Sequence, residues 1–208
     1  MKKALKFVLA VFGLAGLFMV ASCGGASGKV TKKGPDVPEP AVLIQNGTFQ
    51  GLGVMKRNPT YDFVNADRIA SCASNGYWQF LIGDSFMGKG ECEISNGLVK
   101  VTVRNPGTDP WSIQLVQIPV YMKKGQMYKV TFEAKATAKR QIMSKVSKVG
   151  GDWKAYSSER YIEIGTNMQQ YSYSFQMSDP TDPYSRFELN FGKDTNTVWV
   201  QNVNIEKK

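Results

Sequence analysis

An all-β domain, folded as two antiparallel sheets packed face to face, is what this sequence predicts. Three observations carry that expectation. From Val42 onward apolar residues recur at every second position. Turn residues interrupt them about every eight to twelve positions. Outside the first 22 residues no segment shows a convincing amphipathic helical period. The composition agrees with a globular body: 208 residues, 42% hydrophobic, 12% aromatic and 21% charged, values that exclude disorder and fibres.

The N-terminus is read as a processing signal. Lys2, Lys3 and Lys6 precede an apolar run from Phe7 to Ala21, too short and too one-sided for a spanning helix. The segment closes Val20-Ala21-Ser22-Cys23, which resembles the bacterial lipobox. That resemblance implies a signal peptide over 1–22 and a diacylated Cys23 as the mature N-terminus of a lipoprotein. The acyl chains would hold the protein on a bilayer at roughly 0.8 kcal/mol per buried CH₂. Gly24 and Gly25 follow, with no aspartate of the kind that retains such proteins at an inner membrane, so the outer membrane or cell surface is expected.

Residues 23–41, rich in Gly, Ser, Lys and Pro, have the composition of a solvated tether. The whole chain carries 26 Lys plus Arg against 17 Asp plus Glu, a net charge of +9. Removing residues 1–22 takes three lysines and no acid, and further lysines sit in the tether and at the C-terminus. The folded body is only mildly basic, and nucleic acid is not expected as a partner.

The folded domain is expected over 42–208. Leu98 to Arg104 places Val99, Val101 and Val103 on one face and Lys100, Thr102 and Arg104 on the other, after an Asn96-Gly97 turn. Tyr128 to Ala134 repeats the scheme, as do Tyr171-Ser-Tyr173-Ser-Phe175 and Phe187-Glu-Leu189-Asn-Phe191. Lys139 to Val149 reads as strand plus loop. Each strand exposes an apolar face that another sheet must cover, which gives the two-layer sandwich. Cys72 and Cys92 remain in what is expected to be an oxidising compartment, and a disulfide between them is the expected state, with two buried thiols as the alternative.

With no histidine in the chain, histidine general bases, Ser-His triads and His-ligated metal sites are excluded. Glu91, Glu93, Glu133, Glu159, Glu163 and Glu188 supply carboxyl groups without an identifiable glycosidase pair, so no enzyme is expected.

A set of ordered motifs points further. Asn46-Gly47-Thr48-Phe49 opens the domain; Trp78, Ile94-Ser-Asn96-Gly97-Leu98-Val-Lys-Val and Trp111-Ser-Ile-Gln114-Leu-Val-Gln117 follow. Then come Lys124-Gly-Gln-Met-Tyr128-Lys-Val-Thr-Phe132-Glu-Ala-Lys-Ala136, Arg140, Trp153, Tyr156, Phe187-Glu-Leu-Asn-Phe-Gly192 and Val200-Gln-Asn-Val203. Their order and spacing, over Leu43 to Glu206, resemble the CenC-like carbohydrate-binding modules of families 4 and 9. The resemblance implies a β-jelly roll whose concave sheet carries a cleft for a β-linked polysaccharide, lined by aromatic rings and amides. Such residues suit sugars, because flat rings cover apolar C–H faces while Gln, Asn, Arg and Glu meet hydroxyls. Water competes for every hydroxyl, so affinities of micromolar to millimolar, about −8 to −4 kcal/mol, are expected.

Several residues are candidates for that cleft. Arg186, Glu188 and Asn190 share the face opposite Phe187 and Leu189. Gln114 points outward between Ile113 and Leu115; Gln117 falls on the other parity unless a bulge intervenes. Trp153 and Tyr156, beside Gly150-Gly151-Asp152, are the leading stacking candidates, with Trp78 behind them. For each aromatic the competing reading is that it fills the sandwich. Arg140 is either a fork of donors for sugar hydroxyls or a surface arginine.

Many family members hold a structural calcium, partly through an aspartate near the last strand. Gln201, followed by Asn202, stands at that position here, and losing the carboxylate removes charge from an oxygen site, so no cofactor is expected. The expected partners are a polysaccharide or oligosaccharide and, through Cys23, a lipid bilayer, with the domain a monomer. The alternatives are a structural or protein-binding surface lipoprotein and an accessory part of a glycoside hydrolase system.

Overall fold

Alternating apolar and polar residues become paired strands throughout the body. The computed structural model describes residues 37–53, 57–58 and 77–208. Its strands, in chain order, are β1 (Arg57–Asn58), β2 (Trp78–Ile82), β3 (Lys89–Ser95), β4 (Leu98–Asn105), β5 (Ile113–Met122) and β6 (Met127–Ala136). They continue as β7 (Arg140–Ser147), β8 (Arg160–Ile164), β9 (Gln169–Gln176), β10 (Asp182–Asn190) and β11 (Val198–Lys207). One sheet has the order β1-β2-β5-β10-β7-β8 and the other β3-β4-β11-β6-β9. Every pairing is antiparallel except that of the two-residue β1, which runs parallel to β2. The all-β sandwich expected from the sequence is therefore the fold.

The core lies between the sheets. Phe80, Ile113, Leu115, Phe187 and Leu189 come from one layer, and Val99, Val101, Tyr128, Val130, Phe132, Val198 and Val200 from the other. The Asn96-Gly97 turn forms as expected, with φ of 51° and 76°, a left-handed pair suited to the twist of a tight hairpin between β3 and β4. Two bulges break strict alternation. In β5 the residues Gln117 and Val120 are paired across to Phe187 and Ser185 with a register shift. In β11 a shift between Gln201 and Asn204, with Asn202 at φ 53°, lets Val200 and Val203 both enter the core.

Glu39 forms an ion pair with Lys207 and a second, at 3.7 Å, with Lys123. The end of the expected tether is thus tied to the last strand.

The disulfide expectation is corrected in part. Cys92 is a free thiol, 1% exposed in the core, and burial pushes its pKa from the usual 9.0 up to about 12, with the Glu93 carboxylate adding to the rise. Cys72 lies outside the described residues, as do the expected signal peptide and Cys23.

Candidate functional site

The outer face of the six-stranded sheet is built by parity. Because Phe187 and Leu189 point into the core, Arg186, Glu188 and Asn190 project from the opposite face of β10. Gln114 on β5 is paired with Asn190, and Lys145 on β7 with Glu188, so the neighbouring strands add their own polar side chains to that face. Glu188, fully buried, is the hub. Its carboxylate accepts from Gln114 Nε2 at 2.9 Å, Ser147 Oγ at 2.7 Å and Asn190 Nδ2 at 3.2 Å. Arg186 Nη2 reaches both its oxygens, at 3.1 and 3.0 Å, and Lys145 Nζ stands 3.9 Å away while donating to Glu159 at 3.2 Å. Two cations thereby balance two carboxylates, which removes most of the cost of burying these charges.

Above this network lies a cleft of about 670 Å³, lined by Gln114, Lys145, Glu159, Arg186 and Glu188 together with the aromatic residues Phe86, Trp111 and Trp153. That volume falls in the range of small-ligand sites. Phe86 and Trp111 meet edge to face at 6.0 Å, on two loops stitched together by Gly83 N–H to the Ser112 carbonyl and by Ser112 Oγ to the Phe86 carbonyl. Gly107 is required there: its φ is +69°, and a β-carbon would collide with Ser112 Oγ and the Phe86 carbonyl. Trp153 sits on the β7–β8 loop with φ 52°, following Gly150 and Gly151, both also at positive φ. Its ring lies 4.4 Å from Arg186 Cζ, a cation–π contact that roofs the Arg186–Glu188 pair.

Of the residues expected in the cleft, the structure gathers Trp153, Gln114, Arg186 and Glu188 at its lining, with Asn190 hydrogen-bonded to Gln114 just below. Four expectations are corrected. Trp78 is fully buried, 4.6 Å from Phe49 in the core, and donates Nε1–H to the Asn46 carbonyl. Gln117 keeps its inward parity because the β5 bulge falls after it; its amide bonds both the N–H and the carbonyl of Gln45. Arg140 is 3% exposed and spends its donors on the carbonyls of Gln141, Phe191, Gly192, Asp194 and Asn196, bracing the β10–β11 loop. Tyr156 packs against the core and donates its hydroxyl to Asp182 at 2.8 Å, and burial with that carboxylate raises its pKa.

Phe86, Trp111 as a lining group, Lys145 and Glu159 are lining residues that sequence reasoning missed. Lys145 was legible in outline, since Ile142 and Val146 inward put it outward. The loop positions of Phe86 and Trp111 carry no periodic signal.

Gln201, at the position of the family's aspartate, donates its Nε2–H to the Glu133 carboxylate 2.6 Å away. Among the described residues no three or more His, Cys, Asp or Glu side chains are gathered as a metal site.

Residues 42–197 match a family described as carbohydrate binding domain. Among solved structures the chain is similar to a CBM4 domain, with 20% identity, 63% of this chain and 86% of that one covered, and a TM-score of 0.59. It is similar also to a putative sugar binding protein from Bacteroides thetaiotaomicron, with 15% identity, 80% and 100% covered, and a TM-score of 0.58. A third is the second N-terminal cellulose-binding domain of Cellulomonas fimi β-1,4-glucanase C, with 16% identity, 76% and 95% covered, and a TM-score of 0.53. At such identities these likenesses speak for the fold. No curated protein matches the chain.

Proposed function

The chain belongs to the carbohydrate binding domain family, and from that premise we propose that it binds a β-linked polysaccharide, without catalysis, in the cleft over Gln114, Arg186 and Glu188. The observation that carries the reading is the conjunction of three aromatic side chains, Phe86, Trp111 and Trp153, with a hydrogen-bonding floor in one cleft. Rings supply faces for pyranose C–H surfaces, and the floor supplies polar edges for hydroxyls. The floor is rigid because its groups satisfy one another, so little side-chain entropy is lost when a sugar docks. Glu159 and Glu188 of this cleft are paired with Lys145 and Arg186, and Asp152 with Lys148, which suits a binding site rather than an acid–base pair.

The domain acts as a monomer displayed on a lipid anchor at Cys23, at the outer membrane or cell surface. The lysine-led apolar segment ending in Val20-Ala21-Ser22-Cys23 supports this. Among the described residues no helix is long and apolar enough to cross a membrane.

Electrophoresis of the purified domain in native gels containing laminarin, barley β-glucan, xylan or mannan tests the binding reading. Retardation on at least one glycan, lost in Trp153→Ala and Trp111→Ala and kept in Tyr156→Phe, is the expected result. Free migration on all of them would instead favour a protein-binding or structural role. Acylation is tested by palmitate labelling of the full chain, which Cys23→Ala abolishes.

A further inference from the structure

We infer that the glycan path runs beyond the cleft to the outer edge of the sheet, where Tyr161 on β8 forms an additional stacking position for a saccharide ring; this rests on the glycan-binding reading above. The placement follows from register. Leu81, Gln114, Asn190, Met143 and Tyr161 are successive cross-strand partners on β2, β5, β10, β7 and β8, so their side chains form one row on the outer face. Gln114 lies at the cleft lining, and Tyr161 ends the row. Three strand spacings separate them, about 14 Å in all.

The row changes character along its length. Gln114, Asn190 and Met143 are each 1% exposed, whereas Tyr161 is 53% exposed. Among the described residues the other large apolar side chains so exposed are Val42, Met87 and Met127, none aromatic. Tyr161 is the aromatic ring among them, half in water on the edge strand of the sheet. Its position is nonetheless held: Tyr161 Oη donates to Glu159 Oε2 at 3.2 Å, and Glu159 Oε1 accepts from Lys145 Nζ at 3.2 Å. Glu159 and Lys145 both line the cleft. The Lys145–Glu159–Tyr161 hydrogen bonds thus link the cleft lining to a positioned, solvent-facing ring; with Asn190 and Met143 buried beneath, a chain leaving the cleft would pass over Glu159, whose side chain is 38% exposed, to reach β8. The ring covers the C–H face of a sugar, and the Glu159 carboxylate lies beside it for hydroxyls.

Calorimetric titration of the intact domain with laminari-, cello-, xylo- and manno-oligosaccharides, each from disaccharide to hexasaccharide, tests this. Tyr161→Ala is expected to weaken binding of the longest oligomers about tenfold while leaving the shortest within about twofold of wild type. Tyr161→Phe, which keeps the ring and drops only the Glu159 hydrogen bond, is expected to retain most of the long-chain gain. Unchanged titration of every length by Tyr161→Ala would overturn the inference and leave the cleft reading standing. An equal loss at all lengths would also overturn it, because the effect would then come through Glu159 and Lys145. If the wild-type domain binds none of the oligomers, both the cleft reading and this extension fall.

Discussion

The Trp153 ring roofs the Arg186 guanidinium at 4.4 Å, while Arg186 grips both oxygens of Glu188, so the aromatic wall and the polar floor of the cleft are mechanically one unit. Trp153→Ala is expected to weaken glycan binding at least about tenfold, 1.4 kcal/mol. Because Arg186 is buried, the folded state should lose about 2 kcal/mol of cation–π energy as well. Calorimetric titration paired with urea denaturation separates the two effects. A large loss of stability with unchanged affinity would make Trp153 a packing residue.

Glu188 is buried at the base of the cleft, paired with Arg186 at 3.0 Å and with Lys145 at 3.9 Å. Glu188→Ala leaves Arg186 and Lys145 without their shared partner, and a loss of about 3–5 kcal/mol is expected. Glu188→Gln fills the same space and keeps an acceptor oxygen, so it should cost less. The urea midpoints of the two variants check the ordering, and a loss under about 1 kcal/mol for the alanine would contradict the role given to this carboxylate.

Arg140 distributes its donors over four carbonyl groups of the β10–β11 loop and that of Gln141 on β7. Lysine keeps the charge but not the planar fork, so Arg140→Lys is expected to destabilise the domain by about 3 kcal/mol or more. Affinity per folded molecule should stay at the wild-type value. Weaker glycan binding with stability intact would return Arg140 to the cleft.

The Cys92 thiol keeps its proton in the folded protein until about pH 12, whereas the unfolded chain gives it up near 9.0. Between those values the unfolded state binds fewer protons. Stability contributed by the protonated thiol is complete below pH 9 and falls as pH rises, by up to about 1.4 kcal/mol per pH unit. Tyrosines titrate in the same range, so the comparison is with Cys92→Ala, whose stability should decline less steeply from pH 9 to 11. Native Cys92 should also resist alkylation that proceeds readily in urea. Equal slopes, or rapid labelling of the folded protein, would mean that the thiol is accessible.

Faces of strands were readable in the sequence because alternation is a local property. Val99, Val101 and Val103 inward, and Gln114, Arg186, Glu188 and Asn190 outward, follow from neighbours one residue away. Gln117 shows where that reasoning needs a further fact: its parity was legible, but the position of the β5 bulge decided whether the parity held. Trp78, Arg140 and Tyr156 show a different gap. Residue type marks each as fit for a sugar, yet each finds partners inside the domain, at Asn46, at the β10–β11 carbonyls and at Asp182.

By itself the sequence determined the two-layer all-β fold, the in-and-out pattern of its strands and the absence of histidine chemistry, since these depend on composition and on contacts between near neighbours. Only the tertiary structure decided which outward side chains meet. Gln114 and Glu188 are 74 positions apart, and Lys145 reaches both Glu159 and Glu188, because β5, β10 and β7 are adjacent in the sheet but not in the chain. Strand order is a long-range choice made by the packing of the whole core, and it turns scattered polar residues and loop aromatics into one cleft.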